Sequence, residues 1–207
     1  MTDYAVVIPA GGSGQRMTGS SDASNTTLPK QFTRLAGRMV IEHAMHEFLN
    51  DKSCVQIVIP VAEHLKTEIS KMLEHEKVDV VTGGETRVHS VLAGLLHLKQ
   101  SFSDTEWVMV HDAARPNLYF SDIQALINAV SKHSQGAILA CPSRNTLKLV
   151  NAGKSIKTLP RQDIWQALTP QVFNLGELCN ALQHVIHNNI AISDEAAAME
   201  YRQAGVI

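Results

Sequence analysis

Apolar residues recur along this chain with two alternating periods. The short run YAVVI over 4–8 reads as a strand, and Val40, Ile41, Ala44, Met45, Phe48 and Leu49 then repeat at 3.6 residues, the period of an amphipathic helix. Residues 55–61 supply the next strand. The rhythm continues with a helix near 62–75, a strand at 78–82, a helix near 87–99, a strand at 107–111, a helix from 121 to about 132 and a strand at 137–141. Parallel strands need long crossovers, usually helical, so this alternation predicts an α/β fold: a mostly parallel sheet with helices on both faces.

Two segments interrupt the pattern. The stretch TGSSDASNTTLP (18–29) has too few apolar residues to anchor it and is expected to be a mobile surface loop. The second is 142–170, where β-like pieces at 146–150 and 155–159 flank Asn151-Ala152-Gly153, the pattern of a hairpin arm. A lone hairpin is marginally stable in water, so the arm is expected to pack on another subunit of a homodimer. The remainder reads as a single domain over 1–207, without internal repeats or long charge runs.

Composition narrows the function classes. With 44% hydrophobic and 18% charged residues the chain is an ordinary globular protein, and its longest apolar stretches fall far short of the ~20 residues a membrane span needs. The start, Met1-Thr2-Asp3-Tyr4, resembles no secretory signal, and a cytoplasmic location is expected. Eighteen Lys+Arg against 20 Asp+Glu give a net charge of −2, which argues against bulk nucleic-acid binding, so any phosphate must be held locally. Cys54, Cys141 and Cys179 encode neither a disulfide framework nor a zinc knuckle. The pairs His43/His46 and His184/His187 have helical spacing but no third metal ligand, and are expected on solvated faces.

Open parallel sheets bind ligands beyond the carboxyl ends of their strands, which directs attention to four loops. PAGGSGQRM (9–17) follows the first strand; its glycines let backbone N–H groups approach an anion and Arg16 adds charge, so it reads as a phosphate cradle. Met17 stands where a dinucleotide fingerprint needs Gly or Ala, and the GxxxxGK of a P-loop is missing. GGETR (83–87) precedes a helix carrying Ser90 and could read a base or ribose, although taken alone it is better read as a glycine turn capping that helix. HDAARP (111–116) ends the central apolar strand. There Asp112 is the candidate Mg²⁺ ligand, with an Asx turn as the plain alternative; His111 reads as a satisfied strand-end side chain, and Arg115 as a phosphate or carboxylate fork. In ISDEA (192–196), Ser193 suits a helix N-cap and could also bind a phosphate.

Neither a Gly-x-Ser-x-Gly elbow, nor HExxH, nor a carboxylate pair placed for acid and base work is present. Arg16, Lys30, Arg115 and Arg161 with a single Asp suit a reaction that handles several phosphates and transfers few protons. A phosphate monoester nucleophile fits, because with a second pKa near 6 it needs no general base at pH 7.

The segments PAGGSGQRM (9–17), LPKQF (28–32), VIEHA (40–44), GGETRVHSV (83–91), VHDAARP (110–116), NTLK (145–148), PRQDIWQALTPQVF (160–173) and ISDEAAAME (192–200) together resemble the 2-C-methyl-D-erythritol 4-phosphate cytidylyltransferase family of the non-mevalonate isoprenoid pathway. The resemblance covers nearly the whole chain. It implies a Rossmann-like nucleotidyltransferase that joins CTP to methylerythritol phosphate with Mg²⁺ and releases pyrophosphate. Gly12, Gly14, Arg16 and Lys30 would hold the triphosphate, with Arg16 and Lys30 stabilising the transition state at the α-phosphate. Ala10, Gly11, Gly84, Glu85 and Ser90 would surround cytosine and ribose. Asp112 and Arg115 would face the methylerythritol phosphate and the metal, and Ser193 the sugar phosphate. Thr146, Thr169 and the catalytic cation Arg161 would reach in from the partner subunit's arm.

The chain departs from the family pattern at Gly11 for the common Ala, Glu85 for Asp and Ser193 for Thr, and its 18–29 segment is longer than typical. Family members also continue through an Asn-Ile-Lys-Val-Thr stretch whose lysine contacts substrate phosphate, a segment not found in these 207 residues. A ribitol 5-phosphate cytidylyltransferase and a catalytically weak nucleotide-binding homologue are the competing readings.

Overall fold

A computed structural model describes residues 2–12, 29–102, 105–130 and 135–202 of the chain. β1 (Tyr4–Val7) leads, followed by a 3₁₀ turn at Lys30–Phe32, the small hairpin β2 (Arg34–Leu35) and β3 (Arg38–Met39), and α1 (Val40–Asn50). Next come β4 (Cys54–Val61), a 3₁₀ turn at Glu63–Leu65, α2 (Lys66–Met72), β5 (Val78–Thr82), α3 (Arg87–Ser101), β6 (Trp107–Val110) and α4 (Phe120–Val130). The last part holds β7 (Gly136–Pro142), β8 (Leu147–Asn151), β9 (Lys154–Leu159), a 3₁₀ turn at Arg161–Asp163, β10 (Trp165–Asn174), α5 (Leu175–His187) and α6 (Glu195–Tyr201). Every predicted strand of the main sheet is found. The helix expected near 62–75 is a 3₁₀ turn running into the seven-residue α2.

Six strands form the sheet in the order β5-β4-β1-β6-β10-β7. β1 pairs in parallel with β4 (Val7 opposite Val58) and β6 (Val7 opposite Val110), and β4 with β5. β10 runs antiparallel between β6 and β7, with Val172 opposite both Met109 and Ala137. The α/β architecture is therefore as expected, with one reversed strand inside the sheet that strand–helix alternation did not reveal.

Side-chain alternation along β1 builds a core on each face. Tyr4 and Val6 point to one layer with Ile41, Met45 and Phe48 of α1, Ile69 of α2, and Ile123, Leu126 and Val130 of α4. Ala5 and Val7 point to the other, with Val91, Leu95 and Leu98 of α3, Leu178 and Leu182 of α5, and Ala198 and Met199 of α6. Continuous apolar runs thus became strands covered on both sides. Among the described residues no helix is long and apolar enough to cross a membrane.

The predicted hairpin is present as a separate two-stranded sheet of β8 and β9. Asn151 pairs with Lys154 around Ala152 (φ 46°) and Gly153 (φ 75°), two left-handed residues in the manner of a type I′ turn. Leu149 (50%), Val150 (54%) and Ile156 (61%) lie exposed on it, and Trp165 (59%) at its root.

Candidate active site

Backbone hydrogen bonds carry the first Gly loop off the end of β1 along β4, with Ile8 N–H donating to Val58 O at 2.9 Å and Ala10 N–H to Pro60 O at 2.8 Å. Ala10 is buried, whereas Gly11 and Gly12 are exposed. Buried Gln31 donates through Nε2 to Ala10 O (2.5 Å) and Gly12 O (3.1 Å), pinning the turn that bears Lys30 against the loop. Exposed Lys30 thereby stands beside the cradle. Gly14, Arg16 and all but the last residue of the 18–29 segment lie outside the described residues.

The second loop adjoins the first. Gly83 N–H donates to Val61 O at 2.7 Å, and a Cβ placed on Gly11 would stand 3.5 Å from Ser90 Oγ. Ser90 is buried; its hydroxyl accepts from Gly84 N–H (3.1 Å) and donates to Gly84 O (3.2 Å). A Cβ on Gly84 would sit 2.3 Å from His89 Cβ, so the turn closes only around glycine. Ala10, Gly11, Gly84 and Ser90 are thus brought together, with Glu85 exposed at the rim.

Beyond β6 the structure shows more than the sequence disclosed. His111 is buried, and burial pushes its pKa down to about 4, leaving the ring neutral. Its Nε2 lies 3.0 Å from Arg115 O, which only accepts, so Nε2 carries the proton and donates. Nδ1 then accepts from the Thr169 hydroxyl at 3.0 Å, and Thr169 Oγ1 accepts in turn from Asp112 N–H at 3.3 Å. The expected reading of His111 as a satisfied side chain holds. Thr169, expected from a partner's arm, belongs instead to its own chain's site. The pairing of β10 with β7 is interrupted between Ala167 and Gln171, a local irregularity of the kind that re-aims a side chain.

Asp112 is held from two sides, by Arg87 at 3.1 Å on Oδ1 and by Arg115 Nε at 2.9 Å on Oδ2. Arg87 also forks onto Glu195, with contacts of 2.6 Å to Oε1 and 3.1 Å to Oε2. Glu195 is fully buried; burial pushes its carboxyl above the ordinary range, and Arg87 opposes that shift. For Arg87 burial acts to lower the pKa, but the two carboxylates outweigh it and leave it raised. Gln171 fastens this corner, donating to Asp194 Oδ2 (2.9 Å) and accepting from Ala196 N–H (3.0 Å). A cavity of about 240 Å³ opens here, lined by Arg87, Asp112, Arg115, Thr169, Ser193 and Asp194 among others.

One expectation needs adjusting here. The cap of α6 is Asp194, which accepts from Ala197 N–H at 3.0 Å, and Ser193 precedes it in the cavity wall. Both oxygens of Asp112, the candidate metal ligand, accept from arginines, and each keeps one lone pair. Thr146 and Arg161 do not line the cavity of their own chain, and Arg161 instead donates to Arg144 O at 2.8 Å at the root of the arm. The histidine pairs bind locally, His43 at Leu35 O and His184 beside Asn188.

Arg87, Glu195, Gln31 and Gln171 were not singled out by sequence. Arg87 stood in view in GGETR, and Glu195 in ISDEA, but nothing local couples positions 108 residues apart.

The family profile of 2-C-methyl-D-erythritol 4-phosphate cytidylyltransferase matches residues 4–206. The protein of that name from Vibrio vulnificus is 39% identical over 207 residues, covering 99% of this chain and 84% of its own length. Its counterpart from Pseudomonas syringae pv. tomato is 40% identical over 208 residues, with 97% and 85% covered. The crystal structure of the Francisella tularensis 2-C-methyl-D-erythritol 4-phosphate cytidylyltransferase superposes with a TM-score of 0.82 at 32% identity, covering 100% of this chain and 90% of that one.

Proposed function

From the membership of this chain in the 2-C-methyl-D-erythritol 4-phosphate cytidylyltransferase family, we propose that it transfers the cytidylyl group of CTP to 2-C-methyl-D-erythritol 4-phosphate, in isoprenoid biosynthesis. The observation that carries this reading is the adjacency of two unlike subsites. One is the pair of glycine loops with Lys30; the other is the cavity walled by Arg87, Arg115, Thr169 and Ser193.

In this reaction a phosphate oxygen of the sugar phosphate attacks the α-phosphorus of CTP. The bond between that phosphorus and the α–β bridging oxygen breaks, and pyrophosphate leaves with the electron pair. The nucleophile is largely dianionic at neutral pH, so it requires orientation and charge neutralisation rather than a base. The site agrees. Asp112 and Glu195 are engaged by arginines, and both nitrogens of His111 are occupied. Lys30 and Arg16 are assigned to the triphosphate, and Arg115 to the sugar phosphate together with Ser193. Gly12 and Gly14 supply backbone N–H groups to the phosphates, and Ala10, Gly11, Gly84, Glu85 and Ser90 surround the nucleoside. Nucleotidyltransferases generally use a divalent metal; here Mg²⁺ is assigned to the nucleotide phosphates, with Asp112 as the carboxylate that would hold it.

The β8–β9 hairpin is assigned to a homodimer; the rest of the segment expected as the arm runs back into the main sheet, which β10 joins from Trp165. Leu149, Val150, Ile156 and Trp165 are exposed, an apolar surface that a second copy would cover, and exchange of arms would bring Thr146 and Arg161 to the partner's site. Three cysteines without disulfides suit a reducing cytoplasm. Pyrophosphate release from CTP tests the function, with 2-C-methyl-D-erythritol 4-phosphate and ribitol 5-phosphate offered separately. Turnover is expected with the first and a kcat/KM at least about tenfold lower with the second. Release with neither, or a preference for ribitol 5-phosphate, overturns the proposal.

A further inference from the structure

Arg87 occupies a position the proposed chemistry does not itself explain. It is the first residue of α3, directly after the glycine loop assigned to the nucleoside, yet its guanidinium points across to α6 and to the end of β6. The partner on α6, Glu195, is fully buried, 108 positions along the chain. An ion pair with one partner fully buried is weak support for stability, because desolvation of the buried carboxylate offsets most of its attraction. What such a pair does provide is direction. Two parallel contacts to Glu195 fix the plane of the guanidinium, and Nη2, held by Glu195 Oε2 at 3.1 Å, also meets Asp112 Oδ1 at 3.1 Å.

We propose that Arg87 is a positioning residue that, anchored by Glu195, sets the orientation of Asp112 toward the hydroxyl groups of the sugar-phosphate substrate, an inference that rests on the function proposed above. Arg115 holds the other oxygen of Asp112, so the carboxylate is clamped at both ends. Each carboxylate oxygen accepts two hydrogen bonds, so each retains one lone pair beyond its arginine. Thr169 is committed likewise: its proton goes to His111, one lone pair takes Asp112 N–H, and one lone pair is left. Asp112 and Thr169 together therefore offer acceptors, and hydroxyl donors of a polyol are the groups that match. Phosphate oxygens, which only accept, are matched by the guanidinium of Arg115 instead.

The test is a double-mutant cycle on the full chain. Arg87→Lys keeps the positive charge but lacks the fork that reaches both carboxylates. It is expected to lower kcat/KM for 2-C-methyl-D-erythritol 4-phosphate by about 10² while CTP affinity, measured by calorimetry, changes by less than about threefold. Combined with Asp112→Asn it should be no worse than Asp112→Asn alone, within about threefold, because residues acting through one another are not additive. Should Arg87→Lys fold poorly, the pair Arg87→Gln with Glu195→Gln removes both charges of the pair together and is expected to show the same selective loss. Losses that multiply in the cycle, or CTP affinity and sugar-phosphate parameters falling in parallel with the melting temperature, overturn the inference while the proposed function stands. A wild-type chain that releases no pyrophosphate from these two substrates overturns the proposed function and this inference with it.

Discussion

Burial of His111 as a neutral ring makes stability depend on pH in a defined direction. In the unfolded chain the imidazole titrates near 6.5, whereas in the fold burial holds its pKa down at about 4. On acidification the unfolded chain therefore takes up this proton first. Between those two values it binds more protons than the fold, and stability falls as pH falls, levelling off once the folded ring protonates near 4. The full separation corresponds to about 3 kcal/mol, of which about 2 kcal/mol is lost between pH 7.5 and pH 5. His111→Gln removes the titration while retaining an amide that can hydrogen-bond in the same space beside Phe48, whose ring centroid lies 5.6 Å from that of the imidazole. Urea unfolding of both proteins across pH 7.5 to 5 should show the wild type losing about 2 kcal/mol more than the variant, whatever their difference at pH 7.5. Other groups, Glu195 among them, titrate in both chains and cancel in the comparison. Equal losses would show that the ring is not held neutral by the fold and would refute Nδ1 as an unprotonated acceptor for Thr169.

Lys30→Ala should lower kcat by about 10² to 10³ with a melting temperature nearly unchanged, because it removes an exposed charge aimed at the transition state; steady-state pyrophosphate release and a thermal scan check both halves. Gly84→Ala forces a Cβ to within 2.3 Å of His89 Cβ, so a KM for CTP raised about tenfold or more is expected in the same assay. UTP should be used more than about tenfold less efficiently than CTP, since a mismatched base leaves buried polar groups unpaired at about 1–3 kcal/mol each. If arms are exchanged, Lys30→Ala and Arg161→Ala proteins co-refolded in equal amounts should regain roughly a quarter of wild-type activity, because about half the dimers are mixed and one of their two sites is whole; no gain over the parents argues against exchange.

The parts of the fold that were legible in the sequence are those governed by local pattern. Val55 to Val61 is nearly all apolar because β4 is covered on both faces, and the 3.6-residue spacing in α1 follows from one face meeting the sheet. The hairpin was legible because Asn151-Ala152-Gly153 supplies the left-handed turn it requires. The strand at Trp165–Asn174 was not, because its first half fell in the segment read as an arm and nothing local shows that it inserts, reversed, into the main sheet. In the site, the glycine loops at 9–17 and 83–87 were legible from glycine content and position after strands, whereas the roles of Ala10, Gly11, Gly84 and Ser90 came from the family resemblance. Glu195 was missed because an acidic residue at a helix N-terminus already has a local explanation, and Arg87 because only the fold brings it to a partner 108 positions away.

The reversed strand is what makes that meeting possible. β10 starts at the carboxyl edge of the sheet, where its residues 167–171 wall the cavity, and ends at the opposite edge, where Leu175 N–H donates to Glu106 O at 2.8 Å just before β6. The chain then needs only one helix to climb back. α5, with 13 residues, rises about 20 Å. It returns the chain to the carboxyl edge, where Ser193, Asp194 and Glu195 follow, and Gln171 of β10 fastens α6 through Asp194 and Ala196. A parallel strand in the same place would have ended at the carboxyl edge, and a helix leaving it would have carried α6 to the other side of the sheet. Arg87 would then lack the buried carboxylate that directs it. The single antiparallel strand thus supplies Thr169 to His111 directly and Glu195 to Arg87 through the helix that follows it.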